Sequence, residues 1–148
     1  MKVRLAEKTD ARHFVDFNCA MAMETENKQL DRDTVTRAVE DVFDDPQKGF
    51  YIVAEDGDEV LGGLMITYEW SDWRGGWWWW IQSVFIVPEA RGRKIYTQLY
   101  DFVKERARES GDVYGIRLYV DLDNENAQRV YEKLGMERSH YYMYEESL

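Results

Sequence analysis

Apolar and charged residues alternate from Met1 to Ala6, the period of a strand with one face toward solvent. The period then lengthens. Phe14, Phe17 and Met21 recur at helical spacing behind Thr9 or Asp10, either of which suits a helix N-cap. Val35, Val39, Val42 and Phe43 mark one face of a second helix. It opens at Asp33 and closes at Asp44-Asp45-Pro46, where the residue before proline is pushed out of the helical region. Phe50–Glu55 and Glu59–Tyr68 are β-rich and flank Asp56-Gly57-Asp58, a hairpin signal. A second turn, Arg74-Gly75-Gly76, leads into a strand over Trp77–Val87, so three consecutive antiparallel strands are predicted.

Pro88-Glu89-Ala90 breaks the chain, and the spacing of Ile95, Leu99, Phe102 and Val103 predicts a helix from about Arg91 to Glu109, stopped at Ser110-Gly111. Tyr114–Asp121 reads as a strand. Asn124–Leu134 reads as a helix with Ala127, Val130, Tyr131 and Leu134 on one face, ended by Gly135, and Met136–Tyr144 as a last strand. A strand–helix–strand unit attached to an antiparallel meander predicts an α+β fold, a mixed sheet with helices on its faces. No repeat, low-complexity tract or linker divides the 148 residues, so residues 1–148 are expected to form one domain.

Composition narrows the function. A net charge of −10 argues against a broad basic face for nucleic acid, because phosphate contacts need clustered Lys and Arg. It favours cationic partners instead, although on composition alone a surface charged for solubility accounts for it better. The longest apolar run, Trp77–Ile81, is far short of the ~20 residues a membrane span needs, so no membrane partner is expected. Met1-Lys2-Val3-Arg4 lacks the apolar stretch of a secretory signal, which predicts a cytoplasmic protein. The single cysteine, Cys19, excludes an internal disulfide. His13 and His140 are isolated, so no metal is expected. Asp121, Asp123, Glu125 and Glu132 fall at positions 1, 3, 5 and 12 of a calcium-loop pattern, but Asn126 replaces its sharp-turn glycine and a strand precedes it. A helix cap at Asp123 or Asn124 accounts for that polarity.

The basic residues cluster where the chemistry is strongest. After the strand ending at Val87 come Arg91, Gly92, Arg93 and Lys94, at the start of a helix. A helix opening just after a strand leaves its first N–H groups unpaired and carries partial positive charge there, which suits a phosphate. Gly92 allows close backbone approach and the three basic side chains add charge. A solvated helix start with basic residues by chance accounts for the spacing equally well.

Val87-Pro88-Glu89-Ala90-Arg91-Gly92 and Asn126-Ala127-Gln128-Arg129-Val130-Tyr131-Glu132-Lys133-Leu134-Gly135-Met136 together resemble the GCN5-related N-acetyltransferase (GNAT) family. Its phosphate loop reads Arg/Gln-x-x-Gly-x-Gly/Ala, with Arg91 at the first position and Lys94 and Tyr96 in the places of the small residues. Both are expected in ordinary helical φ/ψ, with side chains turned from the pyrophosphate. The order of elements also resembles that family's across nearly the whole chain. The resemblance implies a mixed sheet of about six to seven strands flanked by about four helices. It further implies an acetyl-CoA-dependent acyltransferase that moves the acetyl group directly to an amine, with no metal.

By the same resemblance, the backbone of Val84, Phe85 and Ile86 pairs with the pantetheine amides, and the N–H groups of Arg91, Gly92, Arg93, Lys94, Ile95 and Tyr96 hold the pyrophosphate. Asn126 hydrogen-bonds the pantetheine arm, and Tyr131 protonates the departing thiolate. By helical spacing alone Tyr131 is an ordinary core aromatic. Glu24 and Glu26 follow the first helix, where the family builds its acceptor wall; either binds a cationic acceptor or relays its proton, or else is simply a solvated helix end. Gln82 is a candidate to fix a water. Trp70, Trp73 and Trp77–Trp80 crowd one hairpin, with Trp77 and Trp79 on one face and Trp78 and Trp80 on the other. One pair is expected in the core and the other against an acceptor groove or a homodimer partner. The expected acceptor is a small cationic amine. The rivals are an acyl-CoA-binding sensor without turnover, a protein N-terminal or lysine acetyltransferase, and an interaction protein built on the Trp-rich hairpin.

Overall fold

The computed structural model describes all 148 residues as two bodies, Met1–Leu118 and Tyr119–Leu148. The first holds β1 (Lys2–Leu5), α1 (Ala11–Glu26), α2 (Arg32–Asp44), β2 (Phe50–Asp56), β3 (Glu59–Ser71), β4 (Gly76–Ile86), α3 (Ile95–Ser110) and β5 (Val113–Arg117). The second holds α4 (Glu125–Lys133).

One five-stranded sheet runs in the order β1-β2-β3-β4-β5. The first four strands pair antiparallel, and β5 joins β4 in parallel after the α3 crossover, the kind of connection a parallel pair requires. The sheet is thus smaller than the six to seven strands expected. Met136–Tyr144 has no regular secondary structure. Glu137-Arg138-Ser139-His140 supplies no apolar alternation, and Tyr141–Tyr144 are consecutive aromatics and methionine without it, so the pattern lacks one consistent face. The predicted strand Tyr114–Asp121 is confined to Val113–Arg117.

Alternation sorts the sheet's two faces. Tyr51, Val53 and Phe85 pack with Phe14 and Phe17 of α1 and Val39 and Val42 of α2. The opposite set, which includes Ile52, Leu64, Ile66 and Ile81, is buried together with Ile95, Leu99, Val103 and Ala107, one row at four-residue spacing along α3. No helix is long and apolar enough to cross a membrane.

A charged knot ties β1, β2 and the start of α1 together. Arg4 donates from Nη1 to Asp10 Oδ2 (2.8 Å) and from Nε to Glu55 Oε1 (2.9 Å), and the Glu7 N–H also donates to Asp10. Asp10 is therefore engaged by Arg4 and Glu7 rather than capping α1 with its side chain, as its position had suggested. Burial pushes the Asp10 carboxyl pKa up, but the Arg4 guanidinium and the Glu7 N–H outweigh it, and the net shift is downward. A lowered folded pKa contributes stability above the ordinary carboxylate value, and that stability is lost as pH falls through the folded value. Arg4→Met leaves Asp10 buried without its counter-charge. Because Arg4 is partly exposed, the expected loss is about 2 kcal/mol, below the range for fully buried pairs. Urea unfolding at pH 7 checks it, and the gap between variant and parent should narrow at pH 3, where Asp10 is protonated in both unfolded chains.

Candidate active site

The site begins with a fault in β4. Between the pairs Gly63↔Phe85 and Met65↔Gln82, β3 advances two residues and β4 three. The extra residue makes a bulge, and Ser83 within it has φ 52°. The parallel ladder with β5 covers only Trp77–Trp80 on β4. Within the 1–118 body, β4 therefore runs on from Ile81 to Ile86 with β3 as its sole partner. A strand edge of this kind accepts an added extended chain through main-chain hydrogen bonds. Val84, Phe85 and Ile86 lie along it. Phe85 is buried, stacked on Phe17 at 5.2 Å. The Ile86 carbonyl is already occupied by the Arg91 Nε, at 2.9 Å.

The next turn of chain makes the anion cradle. Pro88–Ala90 forms a short 3-10 turn, and α3 opens at Ile95 rather than at the predicted Arg91. The delay has a backbone cause: Gly92 has φ 82° and Lys94 has φ 61°, ψ 28°, so the helix cannot start before Ile95. Lys94 is thus left-handed, correcting the expectation of ordinary helical geometry at that position. Left-handed residues interspersed among others turn successive N–H groups toward one concavity. The first-turn amides of α3 follow directly, without intrahelical acceptors and at the positive end of the helix dipole.

The three loop cations differ in their commitments. Arg91 forks onto Glu24, Nη1 to Oε1 at 2.6 Å and Nη2 to Oε2 at 3.0 Å. That bond holds the Glu24 carboxyl below its ordinary pKa and raises that of the guanidinium. Arg93 stands 3.7 Å from Asp56. Lys94 has no acidic partner. Glu26, the last residue of α1, is exposed.

Beside the bulge, one face of β3, β4 and β5 carries a polar aromatic wall. The Trp80 Nε1 donates to Glu69 (2.8 Å), which also accepts from Arg117 Nη1 (3.1 Å). The Arg117 guanidinium lies 3.8 Å from the centre of the Trp78 ring, and Arg74 lies over Trp78 and Tyr114. Gln82 donates to the Thr67 hydroxyl. Gly115 makes the wall possible, since a Cβ there would meet the Trp78 ring at 2.6 Å. On the other face Trp79 is buried against Phe50 and Tyr68, and Trp77 packs on Tyr68 and Trp70, so the two tryptophan pairs divide between the faces as alternation predicts. A cleft of about 580 Å³ on that side, lined by Phe50, Tyr68, Arg106 and Glu109, sits at the C-terminal end of α3, remote from the loop.

Glu69, Thr67 and Arg117 were not singled out from the sequence. A signal for the first two was there: pairing about the Arg74-Gly75 turn sets Glu69 opposite Trp78 and Thr67 opposite Trp80. For Arg117 there was none, because its place depends on the crossover register.

The 119–148 body holds the other two candidates on α4. Asn124 caps the helix by accepting from the Ala127 N–H, and Asp121 accepts from the Asp123 N–H, so these side chains serve the turn. Asn126 is exposed and accepts from Arg129. Burial pushes the Tyr131 phenol above its ordinary pKa, which keeps its proton in place across neutral pH.

Residues 16–136 match the family model described as acetyltransferase (GNAT) family. The chain belongs to that family. GNAT members take acetyl-CoA as the acetyl donor. Over 97 residues it is 28% identical to the aminoalkylphosphonate N-acetyltransferase of Salmonella typhimurium, a match covering 66% of this chain and 62% of that relative. Its fold is similar to that of a possible acetyltransferase from Clostridium difficile 630, with a TM-score of 0.92 at 39% identity over 99% of this chain and 97% of the other. A predicted acetyltransferase from Clostridium acetobutylicum, solved with acetyl-CoA, shares the fold at a TM-score of 0.79 and 17% identity, over 98% and 95% of the two chains.

Proposed function

We propose that this GNAT protein is an N-acetyltransferase that moves an acetyl group from acetyl-CoA directly to a small cationic amine. The observation that carries the proposal is the pairing of two features at one strand end, the β4 edge beyond the bulge and the cradle of Gly92, Lys94 and the α3 start. The edge suits the amide-rich pantetheine arm and the cradle suits a diphosphate. In this scheme the amides of residues 92–96, with Lys94 and Arg93, hold the pyrophosphate, the expected Arg91 N–H being taken by the Pro88 carbonyl; Val84 and the remaining Ile86 donor hold pantetheine, with Asn126, whereas the Phe85 main chain, also expected there, faces β3.

The acceptor loses a proton to solvent or to a water held at Gln82 and Thr67. Its nitrogen lone pair then attacks the thioester carbon, and the carbon–sulfur bond breaks. The second nitrogen proton leaves to water, while Tyr131 protonates the thiolate and is reprotonated from solvent. The products are an N-acetyl amide and CoA thiol. The acidic chain and the wall of Glu69, Trp78 and Trp80, a surface that already holds the Arg74 and Arg117 guanidiniums, support a cationic acceptor, since indole faces and carboxylates both attract cations.

A second reading has its own observation. Arg74 stacks on Trp78 and Tyr114 without a carboxylate partner, and the Salmonella relative is an aminoalkylphosphonate N-acetyltransferase. An acceptor carrying both an amine and an anionic group would use that guanidinium. Thiol release from acetyl-CoA, assayed with polyamines, aminoglycosides, aminoalkylphosphonates and peptide N-termini, separates these. Turnover with plain amines supports the first reading and turnover only with aminophosphonates the second. CoA binding without thiol release on any amine identifies a sensor.

A further inference from the structure

We infer that Glu24 is a positioning residue for the donor, acting through Arg91, and not a group of the acceptor pocket. The inference rests on the donor-binding proposal and deepens it. Phe17 and Glu24 lie two turns apart on α1 and so on one side of the helix. Each grips the same short stretch of chain. Phe17 stacks on Phe85 at the end of β4, and Glu24 takes both Nη groups of Arg91. Arg91 itself is held at two further points: its Nε donates to the Ile86 carbonyl, and its guanidinium lies 5.4 Å from the centre of the Phe85 ring.

These contacts use three of the guanidinium's five N–H groups and fix its orientation. Its Nε is on the strand and both Nη groups are on one carboxylate, so Arg91 serves as a strut between α1, the end of β4 and the residue before Gly92. That residue sets where the left-handed Gly92 begins, and so the direction of the amides of residues 92–95. Bidentate pairing fixes orientation as well as distance, which a single point charge does not. Glu24 is also a poor general base, because the same bond lowers its pKa.

The exposure of the pair, 43% for Arg91 and 46% for Glu24, means that it adds little to global stability. Its effect should show in donor binding. Glu24→Ala is expected to raise the KM for acetyl-CoA and the calorimetric Kd for CoA about tenfold, as expected for loss of a charge-assisted bidentate bond. The KM for the amine and kcat should hold within about twofold, with thermal unfolding within about 2 °C of the parent. Glu24→Asp, which keeps the charge on a shorter arm, should recover part of the affinity; Arg91→Ala, which also loses the Ile86 and Phe85 contacts, should weaken donor binding at least as much as Glu24→Ala, and the double variant should be no worse than Arg91→Ala alone.

A raised amine KM with donor affinity intact would overturn the inference and return Glu24 to the acceptor side. Additive effects of the two single variants would also overturn it. If parent protein binds CoA and Glu24→Ala binds it equally well, only this inference falls. If the parent itself binds no CoA, the proposed function falls first.

Discussion

Tyr131→Phe should lower kcat by about 10²-fold, the lower end of what a positioned general acid contributes, while CoA affinity stays at the parent value. The change removes one oxygen and keeps the ring, so packing around α4 is retained. The thiolate of CoA is a moderately good leaving group, which is why the expected loss is at the lower end. Burial raises the phenol pKa, so Tyr131 carries its proton across neutral pH, where an amine acceptor begins to lose its own. The acidic limb of the parent profile therefore belongs to the acceptor ammonium or the group that deprotonates it, and Tyr131→Phe should leave that limb in place. Any alkaline limb set by loss of the Tyr131 proton, displaced upward from the ordinary phenol range by burial, should vanish in the variant. The stability sign follows the same shift. A phenol that holds its proton more tightly when folded contributes fully below the unfolded value and loses that contribution as pH rises through the folded one. Steady-state kinetics from pH 6 to 10.5, with calorimetry on CoA, check both halves. Unchanged turnover would remove Tyr131 from the chemistry and leave it as a packing residue.

Much of the scaffold was legible because its signals are local. The hairpin at Asp56-Gly57-Asp58, the α2 stop before Pro46 and the inward Ile95, Leu99 and Val103 of α3 each depend on a few neighbouring residues, and each is present; Phe102, also expected inward, is only half-buried. The parts that differ depend on distant partners. Whether residues after Gly135 form a strand depends on a ladder partner that periodicity does not specify. The start of α3 depends on Lys94, whose left-handed conformation is unusual for lysine and becomes apparent only once the loop has to turn from β4 into the helix. Asp10 had the right type and place for a cap, but Arg4, itself held by Glu55 from 51 residues away, and the Glu7 N–H take its carboxylate instead. The candidate site shows the same division. Gly92 and the basic cluster could be read from spacing, whereas the engagement of Glu24 with Arg91 could not, since the two are 67 residues apart.

Lys94 offers the sharpest separation of backbone strain from charge. Its φ of 61° costs a non-glycine residue roughly 1–2 kcal/mol. The family places a small residue here, which removes that cost. Lys94→Gly should therefore stabilise the protein, by about 0.5–1 kcal/mol after the added freedom of glycine in the unfolded chain is subtracted. The same change removes the one loop cation with no acidic partner. At about 5 Å and an effective dielectric near 40, one charge pair is worth about 1.7 kcal/mol, so CoA should bind roughly tenfold more weakly. Lys94→Glu keeps the strain and reverses the charge, which doubles the electrostatic loss. It should weaken CoA binding by about 10²-fold, with the deficit against parent shrinking in 0.5 M salt. Stability and affinity should separate in the two variants: glycine gains stability and loses some affinity, whereas glutamate loses most of the affinity and gains no stability. Denaturant midpoints and CoA titrations on the same preparations test this. If both variants bound CoA like the parent, the lysine charge would lie outside the diphosphate field, and the cradle would have to act through its amides alone.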